Sequence, residues 1–206
     1  KLVVHAEDRP AALTALGAAL ADTALAGVET NLAYLRQLAA DPVFAAAGHH
    51  TRYLDGLSHR SAAIEVQAAG TQTTVQDWPG RLGYWDVGVP PSGPMDSLAF
   101  RLGNRLLGND PRAAGLEITA TGPTLRFRSP AWVCLTGAAM DVDLDGAQTG
   151  AKVPWWQPFQ VPAGGVLRIG RLTGHGARAY LTVAGGIQIP EYLGSRATFT
   201  LGRFGG

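Results

Sequence analysis

The sequence has 206 residues, 46% of them hydrophobic, with 17 basic and 16 acidic side chains and a formal net charge of +1. That apolar fraction is enough for a core and excludes a disordered chain, and so even a charge balance gives nucleic acid or an acidic membrane no electrostatic footing as partner. No apolar run reaches the roughly 18 residues that span a bilayer, and the single cysteine, Cys134, forbids an intrachain disulfide and fits a reducing, cytoplasmic setting.

Residues 1–57 alternate strand and helix signals. Leu2–Val4 is an apolar run of buried-strand size. Asp8, followed by Pro10, is placed to cap a helix that carries Leu13, Leu16 and Leu20 on one face. Ala24–Val28 reads as a second strand, and Thr30 or Asn31 caps a helix with Leu32, Leu35 and Leu38 turned inward. Asp41–Pro42 starts a third helical piece and Tyr53–Leu54 a fourth. The pattern is α/β, without a nucleotide-binding glycine loop. Residues 58–63 read as a linker, so a domain boundary is expected near residue 60.

From Ile64 the period changes to two, Ile64, Val66 and Ala68 alternating with Glu65 and Gln67. Residues 70–109 are the densest in special residues: a Thr/Val run, a turn through Gln76, Asp77, Gly80 and Arg81, and a loop holding Gly88, Pro90, Pro91, Gly93 and Pro94. A long loop punctuated in this way between ordered elements is a usual place for a binding surface. A helix follows, with Asp96 as its cap and Gly108 at its end. Leu98, Leu102 and Leu106, with Ala99, Phe100 and Leu107 widening the apolar face, should be largely buried against a sheet, and Arg101, Asn104 and Arg105 should share the narrow polar arc.

Short strands are then expected at 116–119, 124–128, 132–136, 141–144, 158–161, 166–169 and 179–184, with Asp145–Gly146 as a two-residue hairpin. Many short strands with Gly/Pro turns point to a closed or barrel-like β fold. Cys134 reads as a small core residue. The histidines show no metal-ligand spacing, and no metal is expected. Trp78 and Trp85 are either lid or core, and Trp155–Trp156 more readily packs than recognises. The chain begins without an initiator methionine and stops inside a glycine-rich phrase, as a segment of something longer would.

Two stretches carry a family resemblance. Residues 1–57, most specifically GVETNLAYLRQ, resemble the final part of a biotin carboxylase domain. From residue 64 on, TTVQDWPGRLGYWDVGVPPSGPMDSLAFRLGNRLLGN, GLEITATGPTLRF, VCLTGAAM and AYLTVAGGIQIPEYLGSRATF resemble the allophanate hydrolase subunit 2-like half of a carboxyltransferase domain. That order is the arrangement of the urea carboxylase family, or of the similar guanidine carboxylases. The same half also occurs in one of the 5-oxoprolinase subunits and in a kinase-inhibitor antagonist, neither of which would carry the first stretch.

The resemblance implies an α+β chain: a small α/β piece, residues 1–57, a linker over 58–63, and a mainly β, cyclophilin-like barrel with one buried helix over 64–206. It further implies a parent enzyme that uses ATP and bicarbonate to carboxylate a biotin attached elsewhere and passes the carboxyl group to urea or guanidine. Its partners would be the biotin carboxyl carrier domain and the remaining half of the carboxyltransferase domain. Such a site needs donors for a ureido oxygen and acceptors for the N–H groups of the acceptor. Arg81, Asp77 and Asn104 are the catalytic candidates, and Gln76, Ser92 and Asp96 the substrate-binding ones. The plainer reading of the same residues has Asp77 and Arg81 pair across a turn, Ser92 and Asp96 serve as turn and cap, and Asn104 support the loop from the helix. With neither of its lysines, Lys1 and Lys152, in a Met-Lys-Met setting, the isolated chain is expected to turn over nothing. The alternatives are a protein-binding regulatory module and a role like that of the 5-oxoprolinase subunit.

Overall fold

A computed structural model of the chain describes residues 1–23, 25, 30–57, 59, 62–145 and 153–206. They form two compact units, Lys1–Ser61 and Ala62–Gly206.

In the first unit the helices are α1 (Arg9–Asp22), α2 (Leu32–Ala39), α3 (Pro42–Ala45) and α4 (Tyr53–Gly56). Asp8 accepts from the Ala11 amide and Asp41 from the Phe44 amide, each with a proline in the first turn, the expected start signals at work. Two arginines close the other ends. Arg36 donates to the carbonyls of Leu20, Ala21 and Thr23 at the end of α1, and Arg9 to those of Phe44 and Ala45 at the end of α3. Carbonyls at a helix C-terminus have no intrahelical donor, so a cation there is doubly suited. Leu2–Val4 is not a strand: Val3 is 76% exposed, and no strand in this unit's described residues offers a ladder. The strand expected at 24–28 falls largely outside the described residues.

The second unit holds β1 (Ile64–Ala68), β2 (Gln72–Gln76), α5 (Ser97–Leu106), β3 (Gly115–Thr119), β4 (Thr124–Phe127), β5 (Ala131–Gly137), β6 (Met140–Leu144), β7 (Pro158–Val161), β8 (Val166–Leu172) and β9 (Arg178–Val183). A four-stranded sheet has the order β1-β4-β8-β6 and a five-stranded sheet the order β2-β3-β9-β5-β7, all pairs antiparallel. The chain is therefore mixed helix and sheet, mainly β, but the expected barrel is not closed: no named strand pairs across from one sheet to the other. Pro158 is tolerated because β7 is an edge strand.

Every second residue of the strands enters one core between the sheets: Leu116 and Ile118, Leu125 and Phe127, Val133 and Leu135, Leu167 and Ile169, Leu181 and Val183. From β4 on, each strand lies in the other sheet from its predecessor, so the chain turns a corner at each step. Gly122 shows why the corners are glycine-rich. A Cβ there would lie 2.4 Å from Ile169 Cγ2, so any side chain would push this corner off β8, to which the Gly122 amide donates. The Asp145–Gly146 hairpin lies only up to Asp145 within the described residues, and the loop leading to β7 only from Val153 on. Among the described residues no helix is long and apolar enough to cross a membrane.

Helix α5 lies on the outer face of the five-stranded sheet, with a face the leucine spacing did not predict. Of the expected apolar face Ala99 and Phe100 are buried, with Gly103 and Asn104 beside them, whereas Leu98, Leu102 and Leu106 are 64%, 41% and 44% exposed. The sheet face beneath presents Thr136 and Thr182, and Thr136 Oγ1 donates to the Ala99 carbonyl at 2.9 Å. A Cβ on Gly103 would come within 2.9 Å of Thr182 Oγ1. The helix thus seats on its smallest residues, and the leucines are left on the far side.

Cys134 is fully buried in β5, and burial pushes its thiol up from 9.0 to about 11. The folded chain should resist a maleimide at pH 8 under conditions that label the unfolded chain completely. Because the native pKa is the higher one, this group's contribution to stability is full below pH 9.0 and is lost as pH rises through about 11. Cys134→Ala should flatten that part of a stability-versus-pH curve; an unchanged slope would show that the thiol is not its source.

Candidate functional site

The sequence candidates divide between two places. At the end of β2, Gln76 accepts from the Gly93 amide at 2.9 Å, and the Arg81 amide donates to the Pro91 carbonyl at 2.6 Å, which clasps the turn to the proline loop. Asp77 and Arg81 are both buried, and they do not pair with each other. Asp77 accepts from Ser195 Oγ at 2.6 Å and from the Arg196 amide at 2.8 Å. Arg81 donates to the carbonyls of Tyr192, Ser195 and Ala197 and lies over the Phe204 ring at 4.9 Å. Both side chains grip one segment, 192–197, that is more than 110 residues away in sequence. The pairing expected across the turn gives way because the main chain of that segment satisfies each group better than they satisfy one another.

Asn104 is not near this cluster's contacts. Its amide donates to the Ala113 carbonyl at 2.8 Å, and its oxygen accepts from Asn109, which also donates to the Val183 carbonyl. It holds the loop that ends α5, a buried position rather than the polar arc expected. Ser92 is a turn residue with φ of 56°, and Asp96 caps α5 through the Ala99 amide. Trp78 packs on Phe100 and Tyr180 under the Arg101 guanidinium, 4.2 Å from its ring, while Trp85 is exposed. Trp155 packs on the core; Trp156 does not and is 41% exposed.

The cleft opens at the start of α5. It has a volume of about 370 Å³ and is bounded by Met95 and Asp96, by Gly137 and Ala138 after β5, by Trp156, and by His175–Arg178 ahead of β9. Behind Met95 and Asp96 stand Glu117 and Tyr180, which the β3–β9 register places opposite one another. Glu117 accepts from the Met95 amide at 2.7 Å and from the Tyr180 hydroxyl at 3.0 Å, and that hydroxyl accepts from the Asp96 amide at 2.7 Å. Burial, with the Glu117 and Asp96 carboxylates nearby, drives the Tyr180 pKa upward, so it remains a neutral donor. Arg178 lies 3.5 Å from Glu117.

Of the sequence candidates only Asp96 borders the cleft. Trp156, weighed as recognition or packing and expected to pack, borders it too, whereas Glu117, His175, Arg178 and Tyr180 were not singled out; the one signal for Glu117 was a charge inside a strand otherwise made of apolar and small residues. No cluster of His, Cys, Asp and Glu able to hold a metal occurs among the described residues.

Comparison with known proteins gives two family matches in order along the chain: the biotin carboxylase C-terminal domain over residues 1–56, and the carboxyltransferase domain, subdomain A and B, over residues 87–206. A urea amidolyase of Saccharomyces cerevisiae is 44% identical over 206 residues, all of this chain and 11% of that protein. The crystal structure of the Kluyveromyces lactis urea carboxylase superposes with a TM-score of 0.80 at 45% identity, covering 95% of this chain and 17% of that one. A 5-oxoprolinase subunit of Escherichia coli is 40% identical over 137 residues, 66% of this chain and 42% of that protein. This chain thus corresponds to a junction segment of urea amidolyase and urea carboxylase and spans about a tenth of the urea amidolyase's length.

If Arg81 is the tie between these loops, Arg81→Met should cost about 3–5 kcal/mol, since three carbonyls lose their donor in a buried site. Arg81→Lys should recover only a minor part, because an ammonium cannot fork across them. Ser195→Ala, which removes one partner of Asp77, should cost about 1–3 kcal/mol. Denaturant midpoints test all three, and a wild-type midpoint for Arg81→Met would refute the tie.

Proposed function

The chain belongs to the carboxyltransferase domain family, subdomain A and B, and from that membership we propose that it is the junction of a biotin-dependent urea carboxylase. Residues 1–57 are the end of its biotin carboxylase domain, 58–63 a linker, and 64–206 the first part of its carboxyltransferase domain. The observation that carries this reading is the order of the two family matches on one chain that a urea amidolyase covers in full. The 5-oxoprolinase subunit leaves about a third of the chain without a counterpart, which disfavours that alternative.

The parent uses ATP and bicarbonate, and its biotin, attached outside this segment, supplies an activated carboxyl group to a nitrogen of urea. Guanidine is the other acceptor in play. The parent acts in the cytoplasm, where a buried free thiol such as Cys134 is at home. Within the segment, Asp77, Arg81 and Gln76 are positioning residues: their hydrogen bonds go to the protein's own chain, where they fix the loops that lead into α5. Asn104 fixes the other end of that helix. Ser92 shapes the turn before it. Asp96 keeps a substrate-facing role, since its second oxygen is not used in the cap.

The partner within the parent is the remaining half of the carboxyltransferase domain, and the exposed apolar side of α5 is the surface we assign to it. Met95, Leu98, Leu102 and Leu106 fall on one side of the helix and are all more than 40% exposed. The biotin carboxyl carrier domain is a transient partner that brings its group to the completed site.

Purified, biotinylated parent enzyme should consume ATP in a urea- and bicarbonate-dependent manner, and the 206-residue chain should show no turnover. Parent that carboxylates neither urea nor guanidine would overturn the substrate assignment. Leu98→Glu with Leu102→Glu should cut the parent's activity about tenfold or more by spoiling the apolar contact, yet leave the stability of the 206-residue chain within about 0.5 kcal/mol. Unimpaired parent would remove α5 from the interface.

A further inference from the structure

Helix α5 carries two arginines that nothing among the described residues answers. Arg101 and Arg105 stand one turn apart, and neither guanidinium has a hydrogen bond or ion pair with a described residue. Ser97–Leu106 contains no acid, so the two cations repel along the helix without local relief. Arg101 is held as well as unpaired. Its guanidinium lies over the Trp78 ring at 4.2 Å, and Trp78 is itself packed on Phe100 and Tyr180. The Arg101 Nε is shut off from solvent without an acceptor, a costly state for a donor. Stacking on the indole fixes the plane of the group, so its fork is set before any carboxylate reaches it.

The two arginines also have a defined place on the helix. Arg101 lies three residues from Leu98, and Arg105 three from Leu102, so the row 101/105 runs directly beside the exposed row 98/102/106. Ala99, Phe100, Gly103 and Asn104 occupy the opposite side, against the sheet. The outward arc of α5 is therefore an apolar stripe with a basic edge. A second copy of this helix cannot cover it, because two acid-free faces would bring four arginines together. A surface that only buried the leucines would leave the stacked guanidinium unmet. The complementary surface is apolar with carboxylates along one side. A stripe of three leucines extended by Met95 suits a lasting contact better than a passing one, since permanent interfaces are the more apolar kind.

We propose that Arg101 and Arg105 receive carboxylate side chains of the remaining half of the carboxyltransferase domain, with Arg101, held on Trp78, as the orienting contact. The inference rests on the assignment of α5 to that half and deepens it by naming the chemistry that recognises the helix.

The test is a cross-link in the full parent enzyme. Arg101→Lys and Arg105→Lys keep the charge and add an amine that a carbodiimide joins directly to a carboxylate; Lys1 and Lys152 are the only other lysines of the segment. Proteolysis and mass spectrometry should find these positions linked to an Asp or Glu of the remaining half of the carboxyltransferase domain. The 206-residue chain, treated in the same way, identifies links that are merely local. Links only to local acids, to the carrier domain, to a second copy (separated by mixing light and heavy isotope preparations), or to nothing each overturn the proposal. Arg101→Glu with Arg105→Glu should lower the parent's urea carboxylation about tenfold or more, because like charges then face one another across the contact. The same pair should leave the circular dichroism of the 206-residue chain unchanged; should it unfold the chain, the cross-link map decides alone. Undiminished carboxylation by the folded pair also overturns the contact. The links are read whether or not the parent turns over. A link to the expected half in a parent that carboxylates neither urea nor guanidine sinks only the reaction assigned to it, and urea carboxylation without the link sinks only the acidic contact.

Discussion

A guanidinium buried without a carboxylate partner holds the β-rich unit's loops together. Arg81 is completely removed from solvent, and its charge is met by three main-chain carbonyls and the face of Phe204. Burying a cation is costly, and it persists only where the donors find acceptors in a fixed fork. The carbonyls of 192–197 supply that fork because Asp77 holds the same stretch from its amide side, through Ser195 and Arg196. Each group makes the other's site: the acid orders the segment whose carbonyls the base then occupies. From the Arg81 amide the constraint passes to Pro91, and from Gln76 to Gly93, two residues before the Met95 amide that Glu117 receives. The edge of the cleft is thus fixed at the end of a hydrogen-bonded relay.

Helix α5 shows the same preference for close fit over apolar area. An amphipathic helix normally buries its leucines, each worth about 1.5–3 kcal/mol when covered. Here the sheet beneath offers two threonines, and Thr136 is spent on the Ala99 carbonyl of the helix itself. Contact this close admits only Gly103 and Ala99 at the crossing, with Phe100 edge-on to Tyr180 at 5.7 Å. The leucines are then available to another surface, which a segment making up a small part of its relatives can be expected to meet.

Much of the architecture was legible because it follows period. The alternation in β3, β4, β5, β8 and β9 is visible residue by residue, and the Asp8, Asp41 and Asp96 caps act where they stand in the sequence. The leucine side of the helix was misread for a physical reason. Leucine spacing reports which residues share a side, not which side the sheet accepts, and Thr136 and Thr182 become neighbours of the helix only after β5 and β9 pair. Closure into a barrel was likewise beyond reach, since strand count and glycine corners suit a two-sheet arrangement equally well. Asp77 and Arg81 were seen as a local pair because their true partners lie beyond residue 190, where no local rule points.

The distinction between scaffold and site in this unit is one of saturation. A loop dense in Gln, Asp, Arg and Ser invites a catalytic reading, yet the hydrogen bonds of the Asp77, Gln76 and Arg81 side chains go to the chain itself. Spare capacity collects instead where strand ends from different parts of the chain meet. The β5–β9 register sets Gly137 opposite Ala179 and so brings residue 138 and residues 175–178 to one rim, and α5 delivers Asp96 to it. Apart from Asp96, none of these residues is conspicuous in sequence, because each is ordinary in its own element. They become a set only through pairing, and it is there, beside the most specific loop in the sequence rather than within it, that a ligand can be held without unmaking the protein.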